Sequence, residues 1–146
     1  MIKNRYTLSF INETLDRLVR AKIFTKFDLK DTYHCVYIYD GHKWKTAFRT
    51  RYRYFEYLVM PFGLVNILVI FQVYINIILA GLLDYFIIVY LNNILIYSRN
   101  EDEYYNYICQ VFTRLYKNNL FYKLSKYKFN IKKVEFLGFL INMEGI

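Results

Sequence analysis

The spacing of apolar positions changes several times along these 146 residues. Ile11, Leu15, Leu18 and Val19 recur at i, i+4, i+7 and i+8, which predicts a short amphipathic helix over about 10–20. Residues 24–29 and 36–39 read as buried strands. An Asp40-Gly41 turn leads into 44–50, with 54–60 as its hairpin partner. Pro61 and Gly63 punctuate the chain before an apolar helix over about 65–80. Residues 85–90 form a β-rich run, and Asn92-Asn93 predicts a tight turn into 94–97, because Asn tolerates positive φ. Asn100 and Glu103 make a capping box for a helix to about 118, on which Tyr104, Ile108, Val111, Phe112 and Leu115 share a face. Residues 121–124 and 134–141 read as strands. There is no linker and no repeat, so the pattern describes one unit, α+β with a largely antiparallel sheet.

Residues 57–83 carry no charged side chain, a stretch longer than the ~20 residues that span a bilayer. Pro61, Gly63, Asn66, Gln72, Asn76 and Gly81 interrupt it, which favours a packed core helix plus hairpin. A small membrane protein inserted through 64–83 is the rival reading. The net charge of +8 and the 21% of aromatic residues suit a nucleic-acid groove. The same aromatics, with a single Pro and five Gly, also follow from an A/T-rich gene. Lys123, Lys126, Lys128, Lys132 and Lys133 form a basic tail that either meets phosphates or is a solvated face. His34 and His42 lack metal-ligand spacing. Cys35 and Cys109 stand far apart, which argues against a disulfide framework and a zinc ribbon. The first residues show no signal peptide, so the expected setting is intracellular, in nucleus or cytoplasm.

Asp28 lies inside the apolar run Phe27-Asp28-Leu29. A buried acid costs several kcal/mol unless it is paired or binds a metal. It is either a strand-end cap for neighbouring backbone or a functional carboxylate. Tyr90-Leu91-Asn92-Asn93, followed by an apolar strand, is a hairpin whose only polar residues are at its tip.

Read together, FTKFDLKDTYH, WKTAFRTRYRYFEYLVMPFGLVN, FQVYIN, VYLNNILIYS and VEFLGFLI resemble successive blocks of the reverse transcriptase of gypsy-type LTR retrotransposons, in that family's order and spacing. The resemblance implies a polymerase palm, an antiparallel sheet flanked by helices, over about 1–35 and 66–146. Part of the fingers is inserted at about 36–65. It also implies RNA-directed DNA polymerisation, in which a primer 3′-hydroxyl attacks the α-phosphorus of a nucleotide. Two Mg²⁺ ions held by three aspartates assist that displacement. On this resemblance Asp28 and the main-chain carbonyl of Leu29 are metal ligands, and Asn92 and Asn93 occupy the catalytic hairpin. Tyr33 stacks under the sugar, Phe62 and Gly63 face the incoming nucleotide, and Leu137 and Gly138 position the primer end. The implied partner is an RNA or DNA template-primer, with no membrane.

This chain departs from the family where charge is needed. The family's hairpin reads Tyr-Leu-Asp-Asp, and Asn92 and Asn93 replace both acids, so the site charge falls from −3 to −1. An Asn carbonyl brings no net charge, and Mg²⁺ dehydrates reluctantly. The expectation is that Mg²⁺ is not bound and catalysis is lost, which leaves a non-catalytic nucleic-acid-binding module as the alternative. The triphosphate-holding fingers strands are expected before Asn4-Arg5-Tyr6, and thumb, connection domain and RNase H after Ile146. All of these polyprotein segments are expected to be absent here. Leu68, Val69 and Ile70 stand where the family has smaller residues, and Arg53 where it has a turn Gly. These changes, like Asp to Asn, are each reachable by C-to-T or G-to-A. They predict a decayed element with an overpacked helix.

Overall fold

A computed structural model describes residues 16–18, 20–29, 32–120 and 128–142. Its centre is a four-stranded antiparallel sheet of β1 (Ile23–Asp28), β4 (Ile87–Tyr90), β5 (Asn93–Ser98) and β6 (Lys128–Ile131), in the order β4-β5-β1-β6. β5 lies between β4 and β1, and its run Ile94-Leu95-Ile96 is fully buried. An apolar run without alternation is what a strand covered on both faces requires.

Alternate residues supply two separate cores. Phe27, Ile87, Val89, Ile94 and Ile96 face helix α1 (Ile67–Ile78) and helix α2 (Glu101–Lys117), through Phe71 and Ile75 of the first and Val111 and Leu115 of the second. Phe24, Ile88, Leu95 and Tyr97 face the opposite way. They pack with Leu18 and Ala21 and with a hairpin of β7 (Lys133–Phe136) and β8 (Phe139–Asn142). Two-residue periodicity therefore assigns helices to one face and the hairpin to the other.

Of the predicted helix over 10–20, residues 16–18 are helical and most of the rest lies outside the described residues, as does the predicted strand 121–124. The predicted single strand 134–141 is instead the β7–β8 hairpin, whose turn places Leu137 at φ 53° and Gly138 at φ 84°. β6, over the basic tail, was not anticipated. Its Asn130 N–H donates to the Tyr104 hydroxyl, which also meets Thr25 Oγ1 of β1, so a polar ladder joins β1, α2 and β6. Asn100 caps α2 without a side-chain hydrogen bond, so the capping box does not form. Ser98 Oγ takes its place, donating to the Asn100 carbonyl and accepting from its N–H. Glu101, Asp102 and Glu103 complement the helix dipole from the first turn.

Residues 36–60 leave the sheet between β1 and α1. The predicted strand 36–39 is a sparse bridge to 58–60, made by Ile38 N–H to the Leu58 carbonyl and Met60 N–H to the Val36 carbonyl. The first three residues of the predicted strand 44–50 are taken by a 3₁₀ helix, Asp40–Thr46. Bonds at i, i+3 spacing favour it: Lys43 to Asp40, Trp44 Nε1 to the Gly41 carbonyl, and Thr46 Oγ1 to the Lys43 carbonyl. β2 (Phe48–Arg49) and β3 (Tyr54–Phe55) remain as a short hairpin. Arg53 keeps a negative φ, so this turn needs no glycine there. Crowding at Leu68 is not found, because that side chain is 46% exposed, and Val69 and Ile70 are only half-buried. No helix among the described residues is long and apolar enough to cross a membrane; within 64–83 the helix is Ile67–Ile78, 12 residues.

Candidate active site

β1 ends at Asp28 and β5 begins at Asn93, and the antiparallel register sets these residues directly opposite each other. Directly opposed residues share a face, with Cβ atoms about 4.5–5.5 Å apart. That face is the one turned away from α1 and α2. Beyond the pair, Leu29 N–H donates to the Asn92 carbonyl at 2.8 Å, which extends the ladder into the hairpin tip. Four residues separated by more than sixty positions in sequence, Asp28, Leu29, Asn92 and Asn93, thus meet at one end of the central strands.

The β4–β5 turn is formed by Leu91 and Asn92, since Tyr90 pairs with Asn93. The positive φ falls on Leu91, at 55°, and not on either asparagine as the turn chemistry suggested. A left-handed Leu is strained, by about 1–2 kcal/mol. Gln72 of α1 holds it there. Its Oε1 accepts from Leu91 N–H at 2.6 Å, while its Nε2 donates to Asn76 Oδ1 at 2.9 Å and faces the Val89 carbonyl at 3.4 Å. The FQVYIN block by itself assigns Gln72 no role. The signal was a Gln in the middle of an apolar helix, which when buried must find partners.

The electrostatics of the cluster are sparse. Asp28 Oδ1 is buried and has no hydrogen-bond partner among the described residues, so it caps none of their backbone groups. Asn93 Nδ2 donates to Asn92 Oδ1 at 3.3 Å. Among the described residues no three His, Cys, Asp or Glu side chains gather as metal ligands. One anionic side chain with one orphaned oxygen can satisfy a single cation at most. Two dications 3.5–4 Å apart need a compensating anionic cage, and this donor set does not fit such a pair.

The other predicted site residues lie on neighbouring elements. Tyr33 belongs to a 3₁₀ helix, Thr32–Cys35, that follows β1 closely. The next residue, His34, meets the Phe62 ring edge-on at 5.8 Å. Phe62 is 65% exposed and Gly63 has φ 94°, with open space where a Cβ would stand. The structure therefore joins the Tyr33 helix to Phe62-Gly63. Leu137 and Gly138 sit at the tip of the β7–β8 hairpin, which covers the sheet face that also carries Asp28 and Asn93. Lys26 Nζ ties β1 to that hairpin by donating to the Glu135 carbonyl at 2.9 Å.

Known proteins share this arrangement. A family model described as reverse transcriptase (RNA-dependent DNA polymerase) matches residues 1–141. The Tf2-7 polyprotein, from a transposon of Schizosaccharomyces pombe, is 37% identical over 142 residues, which is 97% of this chain and 11% of the relative. The Tf2-3 polyprotein of the same organism is 36% identical over the same span. A foamy viral protease-reverse transcriptase solved in complex with dsDNA superposes with a TM-score of 0.84 at 24% identity, covering 97% of this chain and 29% of that one. The same viral protein in complex with an RNA/DNA hybrid gives 0.77 at 24% identity, over 89% and 18%. The chain thus spans about a tenth of the polyproteins it matches. By its sequence from end to end, and by a palm-like sheet with its hairpin tip beside β1, the chain belongs to the reverse transcriptase family.

Proposed function

We propose that this chain is the palm, about 1–35 and 66–146, with the inserted fingers portion, about 36–65, of a retrotransposon reverse transcriptase domain whose nucleotidyl-transfer site is inactive. One observation carries the reading. The register brings Asn93 beside Asp28 and the tip carbonyl of Asn92 onto Leu29 N–H, yet among the described residues no three acidic, His or Cys side chains gather there. Asp28 and the Leu29 carbonyl stand at the family's metal-ligand positions, and Asn92 and Asn93 at those of its other two acids. Members of the family use divalent metal. Here the missing charge argues against a bound Mg²⁺ pair.

Tyr33, Phe62 and Gly63 would line the nucleotide side, and Leu137 and Gly138 the primer side. The assignment is supported by the Thr32–Cys35 helix meeting Phe62 and by the β7–β8 turn lying over the Asp28 face. An RNA or DNA template-primer is the partner this arrangement would take. A second reading, a nucleic-acid-binding module without catalysis, gains support from the exposed cations and rings of residues 43–55. The test is single-nucleotide incorporation on a labelled template-primer, with Mg²⁺ or Mn²⁺ supplied. No product above background is expected, and templated incorporation would overturn the reading.

A further inference from the structure

A cavity of about 360 Å³ opens at the Ser98 end of β5. The Asn93 end of that six-residue strand lies about 17 Å away, so the cavity is separate from the Asp28 cluster. One wall is aromatic. The Phe86 and Tyr107 rings stack with centroids 3.8 Å apart and planes within 4° of parallel. Tyr85 stands across them, at 73° to Phe86 and 72° to Tyr107. Phe86 is buried, whereas Tyr85 is 73% exposed, so the corner the rings form leaves aromatic surface open to the cavity.

The rest of the lining is polar. Tyr97 is 8% exposed, and among the described residues its hydroxyl meets only the Asp84 carbonyl, at 3.5 Å, the outer limit of a hydrogen bond. Burial pushes this hydroxyl up from the ordinary tyrosine pKa, and Asp84 and Tyr107 add to the rise while Arg17 and Arg99 oppose it. It therefore stays a proton donor at neutral pH. A buried hydroxyl so poorly paired is under-satisfied. Arg17 is paired with Asp84, but among the described residues no carboxylate pairs with Arg99. Its guanidinium offers a planar fork of donors to the same cavity. Glu103, also in the lining, accepts from the Tyr107 hydroxyl at 3.5 Å.

These groups define a ligand. One unpaired cation takes a single negative charge; a phosphate dianion brings two, beside the like charge of Glu103. A guanidinium fork with one hydroxyl donor matches the two oxygens of a carboxylate. The aromatic corner matches a ring attached to it. Ligand cavities ordinarily run from about 300 to 1,000 Å³, and this one is near the lower bound, which suits a molecule of one ring.

We propose that this cavity binds a small aryl carboxylate, its ring against Tyr85 and Tyr107 and its carboxylate on Arg99 and the Tyr97 hydroxyl. The site needs neither metal nor template-primer, so its failure leaves the reading of the Asp28 cluster untouched. The test titrates the whole chain with 4-hydroxyphenylacetate, followed by ligand-observed NMR. Saturable binding is expected, with a Kd of about 0.1–1 mM for a ligand of this size. Tyramine carries the same ring on an ammonium and acetate carries the carboxylate without a ring; each should bind at least about tenfold more weakly. R99Q should weaken binding about tenfold, and Y97F about threefold. E103Q removes the like charge and should tighten binding about threefold, a gain that a damaged fold cannot produce. No saturable binding, equal binding of tyramine or acetate, an unchanged affinity in R99Q, or a weakened one in E103Q would each overturn the proposal.

Discussion

Asp28 Oδ1 is buried, without a hydrogen-bond partner among the described residues, at the place where β1 meets the β5 tip. A carboxylate kept for structure would be paired. One kept for ligands costs stability until something meets it. Asp28→Asn should therefore raise stability by about 1 kcal/mol, read as a higher urea midpoint at unchanged slope. A loss of that size would show that Asp28 braces the fold. Gln72 has the opposite role. Gln72→Leu leaves Leu91 N–H without its acceptor beside a strained φ, and should cost about 1–3 kcal/mol by the same measurement. At this scale the sequence was half legible. Asp28 stood out as an acid in an apolar strand, but the turn was placed one residue late, because Leu seldom takes the left-handed conformation that Gln72 imposes on Leu91.

At the level of elements, the β7–β8 turn puts Leu137 and Gly138 both at positive φ, as a type I′ hairpin loop requires. Gly138→Ala meets open space, so its cost is conformational alone, about 1–2 kcal/mol in urea unfolding. Gly41→Ala, at negative φ with only the Tyr39 ring at 3.9 Å, should be within about 0.5 kcal/mol of neutral. Equal costs at the two positions would contradict the turn assignment. The strands that bury side chains, β1, β4 and β5, and both helices were readable from periodicity. The 3₁₀ helix at Asp40–Thr46 was not, because side-chain-to-backbone bonds decide it where no residue is buried.

For the whole molecule, the order of blocks along the chain carried the fold, and only the structure showed which pieces touch. Apolar side chains that periodicity assigns to a core remain exposed over 58–68, among them Leu58, Phe62, Val65 and Leu68. Exposed apolar surface, where it is contiguous, drives association. The purified chain should self-associate in light scattering, and Leu58→Ser with Leu68→Ser should reduce it; a monodisperse parent chain would contradict this.

The central claim, that a palm with one carboxylate no longer gathers the family's metals, is tested most directly by calorimetric titration with Mg²⁺. The chain as it stands should give no binding heat in the millimolar range, and N92D/N93D, which restores the −3 cluster, should gain it. Two Mg²⁺ sites in the unaltered chain, or none in the restored one, would contradict the account.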